Sequence, residues 1–430
     1  MYIWDNRYET MSREEIEQFQ LEKIQALINR VFINVQYYKK IFTELNIKSY
    51  DIKTLKDMSK LPLMDKEILR LNQPYGLFAI PLREIVRFHS TSGTTGEPIA
   101  VGYSKNDLNN WSELIARNLF SVGVTSNDVV QIAFEYGMFT GGLGFHYGVE
   151  KVGASIIPVS NINPEYQLNI MKNYKTSVLI STPTMALNLA NHIDKANINK
   201  NELSLRIGIF GAEPWTEQDR ASIETKLNIT ACDTYGLSEI IGPGVASECY
   251  CKNGLHLNED FFYAEIIDPE TLLPLPDGEQ GELVLTTLNK EAFPLFRYRT
   301  GDITSITKEK CECGRTFLRI KKIERRTDDL IIINGIKIYP ASIGRIISEF
   351  DAFGDKFEIL VLRKDGRDKL EIKVEIKSGN VFDVFTKLLN LSENLKQRII
   401  ELYNVDVVVK LVESTTLSHI KKKYKIVDSR

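Results

Sequence analysis

The chain has no apolar run long enough to span a bilayer, and its first residues are acidic and aromatic rather than signal-like, so a cytoplasmic protein is expected. It also lacks an excess of either charge: 54 Lys and Arg residues against 57 Asp and Glu residues give a net charge of −3. A chain so balanced has no general electrostatic attraction to nucleic acid or to an anionic membrane, and neither is expected as a partner. A polyanionic ligand must therefore be bound by a local arrangement of groups.

Cysteine is scarce, with five residues in the chain, and four of these form two Cys-x-Cys pairs. An odd, clustered set does not suit a disulfide framework, whereas two such pairs with a nearby histidine suit a tetrahedral Zn²⁺ site. The predicted ligands are Cys249, His256, Cys311 and Cys313, with Cys251 left open as an alternative to Cys249. Four protein ligands leave no position for substrate, so the role would be structural. The competing interpretation is that these cysteines are apolar core residues.

Two common nucleotide-binding loops are also absent. The chain has no Gly-Lys-Ser/Thr phosphate loop, and no predicted strand leads into Gly-x-Gly-x-x-Gly, which excludes a nicotinamide-binding Rossmann domain. Between residues 129 and 210, short apolar runs alternate with amphipathic stretches, which is typical of a mostly parallel sheet covered by helices. The predicted strands there are 129–134, 155–159, 178–181 and 206–210, and the predicted helices are 165–175 and 216–227.

Flanking segments complete the predicted α/β fold. Ser12 and Glu15 have capping-box spacing and predict the start of a helix. Pro and Gly punctuate a turn-rich β segment at 269–287, with a strand at 282–287. Beyond about residue 328 a smaller α+β unit is predicted, with strands at 330–333, 357–362, 370–376 and 405–412 and helices at 341–350 and 381–389. The predicted domains are therefore a large one, 1–327, and a small one, 328–430.

The strongest motif is Ser90-Thr91-Ser92-Gly93-Thr94-Thr95-Gly96-Glu97-Pro98. Its hydroxyls and glycines can surround phosphate oxygens with O–H and N–H donors. On this motif the sequence resembles the adenylate-forming superfamily of acyl-CoA synthetases, adenylation domains and luciferases, and more narrowly the phenylacetate–CoA ligase family. Further segments that resemble the family's blocks follow in order: 12–15, 136–148 (YGMFTGGLGFHYG), 210–215 (FGAEPW), 233–239 (DTYGLSE), 293–302 (FPLFRYRTGD) and 326–340.

The resemblance implies an acid–thiol ligase. ATP and Mg²⁺ would activate a carboxylic acid as its acyl-adenylate, and coenzyme A would then accept the acyl group, giving a thioester, AMP and pyrophosphate. The small C-terminal domain would rotate between these half-reactions. Two alternatives stay open: transfer to an acyl carrier protein, and a non-catalytic paralogue that binds nucleotide or acid as a sensor. Whether the chain forms a homodimer is also left open.

The resemblance also assigns residues to the nucleotide site. The phosphates would be bound by Ser90, Thr91, Ser92, Gly93, Thr94, Thr95 and Gly96, with Thr91 also catalytic. Adenine and ribose would be bound by Gly211, Ala212, Glu213, Asp233, Thr234, Tyr235, Gly236, Asp302 and Arg326. Within this set, Tyr235 would stack on the base, and the two oxygens of Asp302 would accept hydrogen bonds from both ribose hydroxyls. Glu239 would hold Mg²⁺, which prefers carboxylate and phosphate oxygens, and would count as catalytic.

The small domain would contribute a hinge at Asp328 and a catalytic lysine near the C-terminus. Relatives end in Gly-Lys-x-x-Arg, and matching backwards from Asp428 places Lys422 on that lysine. Matching forwards from residue 413 favours Lys421 instead, and the preceding glycine is absent on either alignment. Asn334, next to Gly335, would face the site during thiol transfer.

An acyl pocket is expected from the 136–148 segment and the residues after Glu239. Its predicted members are Tyr136, Phe139, Gly142, Phe145, Ile240 and Pro243, whereas Met138 is expected to pack in the core. Such an aromatic, glycine-containing wall suits an aryl or short arylalkyl acid. Phe145 would shorten the pocket.

Overall fold

The structure is a computed structural model that describes residues 2–91, 98–196, 198–213, 215–323, 325–327, 331–364, 367–377, 385–413, 415–418, 420 and 424–430. The described chain forms two compact units, a large one that ends at 327 and a small one that begins at 331. Each unit has its own cluster of buried apolar side chains. Within the described ranges, no helix combines the length and apolar character that crossing a membrane requires.

The large unit opens with helices: α1 (Asn6–Glu9), α2 (Arg13–Asn34), α3 (Gln36–Glu44) and α4 (Lys66–Leu71). The predicted capping box is confirmed, since the Ser12 hydroxyl accepts the Glu15 N–H and the Glu15 carboxylate accepts the Ser12 N–H. Single-turn 3-10 helices lie at Ser49–Asp51, Leu55–Lys60, Leu82–Glu84 and Lys200–Glu202. The buried face of α2 packs into the main core through Ile24, Leu27 and Val31.

Alternating strands and helices follow, and they include the four strands and two helices predicted between residues 129 and 227. They are β1 (Arg87–Ser90), β2 (Ala100–Tyr103), α5 (Lys105–Ser121), β3 (Val129–Ile132), α6 (Thr140–Val152), β4 (Ser155–Pro158), α7 (Pro164–Tyr174), β5 (Val178–Ser181), α8 (Pro183–Lys195), β6 (Ile207–Gly211), α9 (Glu217–Leu227) and β7 (Thr230–Leu237). Strands β3 to β7 are parallel, which confirms the predicted parallel sheet. Hairpin β1–β2 encloses the glycine-rich segment.

After β7 the strands of the sheet are no longer all parallel. After β7 come β8 (Gly242–Ser247), β9 (Leu255–Leu257), β10 (Phe262–Ile267), β11 (Gly281–Thr287), β12 (Tyr298–Thr304), β13 (Ile306–Thr307), β14 (Arg319–Ile320) and β15 (Arg325–Arg326). Strand β8 pairs antiparallel with β7, because the connection of four residues between them is too short for a parallel crossover. The full sheet, in the order β13-β14-β9-β8-β7-β6-β5-β3-β4, is therefore mixed.

The predicted β-rich segment forms a separate antiparallel sheet in the order β10-β11-β12-β15. Its last pair of strands places Asp302 opposite Arg326. Two residues that are 24 positions apart in the sequence thereby become direct neighbours.

The small unit is α+β: β16 (Ile331–Ile333), β17 (Ile336–Ile338), α10 (Pro340–Ser348), β18 (Phe353–Lys364), β19 (Arg367–Ile376), α11 (Phe385–Tyr403), β20 (Val407–Val412) and β21 (Tyr424–Ser429). Its main sheet has the order β20-β19-β18-β21. Asn334 and Gly335 join β16 to β17 in a two-residue turn with φ of +48° and +86°, the left-handed geometry for which Asn-Gly is favoured. The α/β fold with a separate C-terminal unit is confirmed.

One helix of the small unit is longer than predicted. The prediction placed it at 381–389, whereas α11 extends to Tyr403 and residues 381–384 lie outside the described ranges. Leu395, Ile399 and Tyr403 are buried at intervals of four residues, a helical spacing that marks the missed half of the helix.

Candidate active site

The glycine-rich segment is described only at its two ends. Thr91 is buried, its N–H donates to the Ile99 carbonyl at 3.2 Å, and its hydroxyl oxygen accepts the Ile99 N–H at 3.1 Å. The Ser90 N–H donates to the Met138 carbonyl at 3.0 Å, which joins the motif to the segment before α6. Ser92, Gly93, Thr94, Thr95 and Gly96 lie outside the described residues, so their phosphate-binding role stays a prediction.

The predicted ribose ligand Asp302 is at the centre of a polar cluster. The Tyr235 hydroxyl, from β7, donates to Asp302 Oδ2 at 2.6 Å, and Arg326 Nη1, from β15, donates to Oδ1. Arg326 Nη2 also donates to the Thr300 carbonyl at 2.8 Å. Burial, and then the nearby Asp302 charge, raise the pKa of Tyr235 well above its ordinary value, so the phenol stays a donor. Tyr235, Asp302 and Arg326, each predicted for the nucleotide site, therefore form one hydrogen-bonded cluster.

The segment after β6 lies beside β7. A Cβ on Gly211 would come within 2.4 Å of the Thr234 carbonyl oxygen, so only glycine allows this close approach. Ala212 has a left-handed backbone with φ of +67°. The Glu213 carboxylate accepts the Thr184 hydroxyl at 2.6 Å and the Thr184 N–H at 3.2 Å, so one of its oxygens is already bound at the start of α8.

Asp233 has an unusual electrostatic environment. Its N–H donates to Glu248 Oε2 at 2.7 Å, and Glu248 is held by Arg220 through bonds of 2.8 and 2.9 Å. Burial, and then the charge of Glu248, raise the pKa of the Asp233 carboxyl to about 7. Thr234, the next residue, has its hydroxyl directed to the Ala246 carbonyl at 3.5 Å.

Glu239 is buried and forms an ion pair with Lys66, whose Nζ lies 3.2 Å from Glu239 Oε1. Lys66 begins α4, where Asp65 caps the helix by accepting the Ile68 N–H. Sequence reasoning missed Lys66, because the two residues are 173 positions apart and only the capping pattern of α4 is visible locally. A carboxylate binds a divalent ion in its ionised form. A neighbouring cation favours the ionised form of a buried carboxylate.

The predicted acyl-pocket residues differ in exposure. Tyr136, Phe139 and Pro243 are half-buried, whereas Gly142, Phe145 and Ile240 are buried. Phe145 stacks on Phe134 at 5.8 Å between ring centroids and belongs to the main core. Met138, expected in the core, is instead 56% exposed, and that expectation was wrong because it lies in the loop before α6.

A polar chain that the sequence did not indicate extends from Tyr136. Its hydroxyl lies 3.3 Å from His146 Nδ1, and His146 Nε2 lies 3.4 Å from Glu150 Oε1. Burial, and then the charge of Glu150, raise the pKa of Tyr136 far above its ordinary value. His146 and Glu150 lie one helical turn apart on α6, so helical spacing was the available signal.

The four predicted zinc ligands, Cys249, His256, Cys311 and Cys313, are brought together. Their donor atoms all lie within 4.8 Å of one another, and the four side chains are buried. The sulfur atoms of Cys249 and Cys311 are 3.8 Å apart, and Cys313 Sγ is 3.4 Å from His256 Nε2. A tetrahedron with zinc–sulfur bonds of about 2.3 Å has sulfur atoms roughly 3.8 Å apart, which agrees with the observed spacing.

Two further observations define this cluster. His256 Nδ1 lies 3.3 Å from the Phe317 carbonyl oxygen, and Nε2 faces the sulfur atoms, 3.4 Å from Cys313 Sγ. Cys251, the alternative ligand, is half-buried and packs against the cluster without contributing to it. The geometry therefore selects Cys249 over Cys251.

A cavity of about 600 Å³ lies elsewhere in the large unit, between α1, α2 and α5. None of the described site residues lines it. The remaining predictions for the small unit, hinge Asp328 and lysines Lys421 and Lys422, lie outside the described residues. Asn334 pairs with β19 instead of standing free, since its Nδ2 donates to the Asp368 carbonyl at 3.0 Å.

Comparison with known proteins agrees with this arrangement. The AMP-binding enzyme family matches residues 78–289, and the AMP-binding enzyme C-terminal domain matches residues 335–430. The solved structure of 2-hydroxyisobutyryl-CoA ligase in complex with 2-HIB-AMP and CoA has the same fold, with a TM-score of 0.90 and 24% identity, covering 100% of this chain and 93% of that chain. Fold and domain matches define an adenylate-forming enzyme.

Two curated relatives narrow the assignment. Phenylacetate-coenzyme A ligase of Pseudomonas putida is 43% identical over 371 residues, 86% of this chain and 84% of the relative. The enzyme of the same name from Escherichia coli (strain K12) is 38% identical over 406 residues, 94% of this chain and 92% of the relative. The chain therefore belongs to the phenylacetate–CoA ligase family and is an AMP-forming acid–CoA ligase.

Proposed function

We propose that this ligase activates an aryl or short arylalkyl carboxylic acid, with phenylacetate as the first candidate. Two observations support that substrate class: relatives at about 40% identity bear the name phenylacetate-coenzyme A ligase, and the aromatic side chains Tyr136 and Phe139 stay half-buried in the segment assigned to the acid. Flat aromatic acids bury large apolar areas against such walls. Phe145, which packs on Phe134, would limit the depth of the pocket.

For the adenylation step, the observation that carries the proposal is the cluster of Tyr235, Asp302 and Arg326. Each Asp302 oxygen accepts one hydrogen bond from the protein and keeps capacity for a second, so both can still accept a ribose hydroxyl. Hydrogen bonds from ribose hydroxyls to a carboxylate are charge-assisted and therefore strong. Tyr235 would present its ring to adenine while its hydroxyl stays fixed to Asp302. The cluster thus orients the nucleoside, and its α-phosphate, before the acid attacks.

Glu239 is proposed to hold Mg²⁺ together with the ATP phosphates. The group fits, because Glu239 is a buried carboxylate, the ligand type that Mg²⁺ prefers. When bound, the ion would neutralise charge on the pyrophosphate that leaves. Thr91, whose hydroxyl is fixed by Ile99, would anchor the base of the phosphate-binding segment.

Zinc is proposed as a structural ion at Cys249, His256, Cys311 and Cys313. The sulfur–sulfur and sulfur–nitrogen distances of 3.8 and 3.4 Å support the fit, as does the burial of all four donors. The ion would tie the β8–β9 connection to the β13–β14 connection. No step of the reaction is assigned to it.

The small unit is proposed to pivot at Asp328 and to supply Lys422 to adenylation. Lys422→Ala should then slow acyl-adenylate formation by about 10²–10³ while transfer from synthetic adenylate to CoA persists, since one preorganised electrostatic contact is lost. Asp328→Pro should do the reverse, because proline restricts the hinge torsion. If Lys421→Ala abolishes adenylation and Lys422→Ala does not, the other alignment is correct. If neither lysine matters, the role of the small unit is wrong.

The substrate proposal is tested by a panel of carboxylic acids with ATP and CoA. AMP and pyrophosphate should form in an acid-dependent manner, with the highest kcat/KM among aryl and arylalkyl acids. A preference for aliphatic acids would overturn the substrate class. Formation of ADP would imply acyl-phosphate chemistry and would overturn the adenylation mechanism for this site.

A further inference from the structure

The backbone that follows Glu239 is held by three side chains that no motif indicated. Lys290 Nζ donates to the Ile240 carbonyl at 2.9 Å, the Tyr103 hydroxyl to the Ile241 carbonyl at 2.9 Å, and Trp111 Nε1 to the Pro243 carbonyl at 2.7 Å. We call Lys290, Tyr103 and Trp111 the carbonyl clamp. Three of the four consecutive carbonyls from 240 to 243 are thereby fixed by side chains from other parts of the chain.

The carbonyl clamp is itself a packed unit. Tyr103 and Trp111 stack at 5.1 Å between ring centroids with an interplanar angle of 15°, and Lys290 Nζ lies 3.9 Å from the centroid of Tyr103. The three side chains are 4% exposed or less. Burying an ammonium group is costly unless it is bound, and here a carbonyl and an aromatic face bind it.

The start of α5 sets the position of Lys290. Asp107, in the first turn of α5, accepts the N–H groups of Glu291 at 2.7 Å and Ala292 at 3.0 Å. The same helix carries Trp111, and β2 ends at Tyr103. Burial lowers the pKa of Lys290 to about 7, and the charge of Asp107 opposes that shift.

The backbone of residues 240–243 also passes close to the Trp111 side chain. Gly242 has φ of +103°, and a Cβ there would lie 2.5 Å from Trp111 Cζ2. Only glycine therefore lets the backbone pass against the indole. The conformation of residues 240–243 is therefore fixed by the three clamp donors together with this close contact to the indole.

We propose that the carbonyl clamp is a specificity-determining element, which positions Ile240 and Pro243 as the wall of the acid pocket. The proposal rests on the proposed function for the placement of the acid at these two residues. Lys290, Tyr103 and Trp111 are positioning residues, because they act on the pocket through the backbone carbonyls. Loosening the clamp should change how tightly, and how selectively, the acid is bound, and should leave CoA binding unchanged.

Tyr103→Phe tests this with the least disturbance, since it removes the hydroxyl and keeps the ring. Its matched control is Tyr38→Phe, because Tyr38 is also buried and its hydroxyl donates to the Pro294 carbonyl at 2.9 Å. Each variant loses one buried hydrogen bond, so both should lose similar thermal stability. Only Tyr103→Phe should raise the KM for the acid, by about fivefold, with the KM for CoA unchanged.

Selectivity is the second readout. The ratio of kcat/KM between the best acid and a homologue one methylene longer should fall in Tyr103→Phe and in Lys290→Met, but not in Tyr38→Phe. Equal acid KM values and ratios in the two tyrosine variants would overturn the proposal. The measurements use whichever acid the wild-type enzyme prefers. A wild-type preference for aliphatic acids overturns the proposed substrate class alone, whereas unchanged variants overturn the clamp alone.

Discussion

The cluster around Asp302 and the cysteine–histidine cluster are both assembled from distant parts of the chain, but they balance charge differently. At Asp302, the protein supplies the compensating cation itself, since Arg326 and the Tyr235 hydroxyl bind the two carboxylate oxygens. At the second cluster, three sulfur atoms and an imidazole nitrogen, all electron-pair donors, lie within 4.8 Å of one another. The charge of Asp302 is thus balanced within the protein, whereas the four donor atoms of the second cluster are spaced as ligands of a cation would be.

We therefore expect changes in the first region to affect ligand binding and changes in the second region to affect the stability of the fold. A site whose charges are already compensated should keep its fold when one member is changed, and should lose ligand affinity instead. A cluster of donors around a metal ion gains its stability from the ion, because binding free energy is then folding free energy. Changes in the two regions should therefore have opposite signatures.

The largest effect is expected from Asp302→Asn. The amide keeps the shape but offers one acceptor oxygen and no charge, so it weakens the bonds to ribose and leaves Arg326 without its anionic partner. We expect kcat/KM for ATP to fall on the order of 10², since charge-assisted bonds contribute about 1.5–3 kcal/mol each. The fall in melting temperature should be small.

The matched control is Asp277→Asn, which breaks an exposed ion pair of 3.0 Å with Lys308. Exposed pairs contribute little, so neither activity nor stability should change noticeably. Steady-state kinetics with ATP as the varied substrate and thermal melting measure both quantities. An Asp302→Asn enzyme with wild-type kcat/KM would remove Asp302 from the nucleotide site.

The reverse signature is expected from the double change Cys311→Ser and Cys313→Ser. Two of four ligands are lost, so the protein should lose its zinc and melt at a temperature lower by about 5 °C or more. The rate of the remaining folded enzyme should change much less than its stability. Elemental analysis of purified protein, with about one zinc per wild-type chain, and thermal melting provide the measurement.

Cys232→Ala is the control here, because Cys232 is buried on β7 outside the cluster. It should retain the metal, and any loss of stability should come from packing alone. Wild-type protein that is free of zinc and as stable as the metal-loaded protein would show that the four residues are only a buried apolar cluster.

The sequence predicted more of the cysteine–histidine cluster than of the cluster around Asp302, and the reason is physical. Cys-x-Cys spacing is local and involves few ligand types, so Cys249, His256, Cys311 and Cys313 could be named from the sequence, with Cys251 as the open alternative to Cys249. Asp302 was named through family resemblance, but its contact with Arg326 follows from the pairing of β12 with β15, which no local pattern encodes.

The same limit explains what the sequence missed. Hydrophobic periodicity located the parallel strands β3 to β6, and the boundaries of β5 were predicted without error, whereas β7 was missed. The Lys66–Glu239 ion pair joins residues 173 positions apart, and the bonds of the carbonyl clamp join residues between 50 and 138 positions apart. Lone lysines, tyrosines and tryptophans have many roles, so only the fold reveals which backbone they hold.

Lys66→Met sharpens the comparison by removing a compensating cation from the nucleotide region. Buried Glu239 would then lose the ion pair that holds its carboxylate in place. We expect the Mg²⁺ concentration for half-maximal rate to rise about tenfold, the effect of roughly 1.4 kcal/mol. The measurement is the rate at fixed ATP over a Mg²⁺ titration.

Lys66→Arg should retain most of the wild-type response, since it keeps the charge. Lys60→Met is the matched control, because Lys60 forms a more exposed pair with Asp57 at 2.7 Å. An unchanged Mg²⁺ dependence in Lys66→Met would mean that Glu239 does not need this partner.

Asp233 is the carboxyl in the nucleotide region whose pKa is raised to about 7 by burial and by Glu248. Because its folded pKa lies above its unfolded value, protonated Asp233 contributes stability below pH 4, and that contribution is lost as the pH rises through about 7. Asp233→Asn cannot ionise, so its stability relative to wild type should increase between pH 5 and pH 8, by roughly 1–4 kcal/mol. Thermal melting of both proteins over this range tests the sign of the change in relative stability.

Asp268→Asn serves as the control, since hydrogen bonds from Thr271 and Glu270 lower the pKa of Asp268 and it stays ionised throughout. A difference between Asp233→Asn and wild type that does not grow with pH would show that Asp233 is ionised at pH 5, and that its charge is compensated as well as that of Asp302.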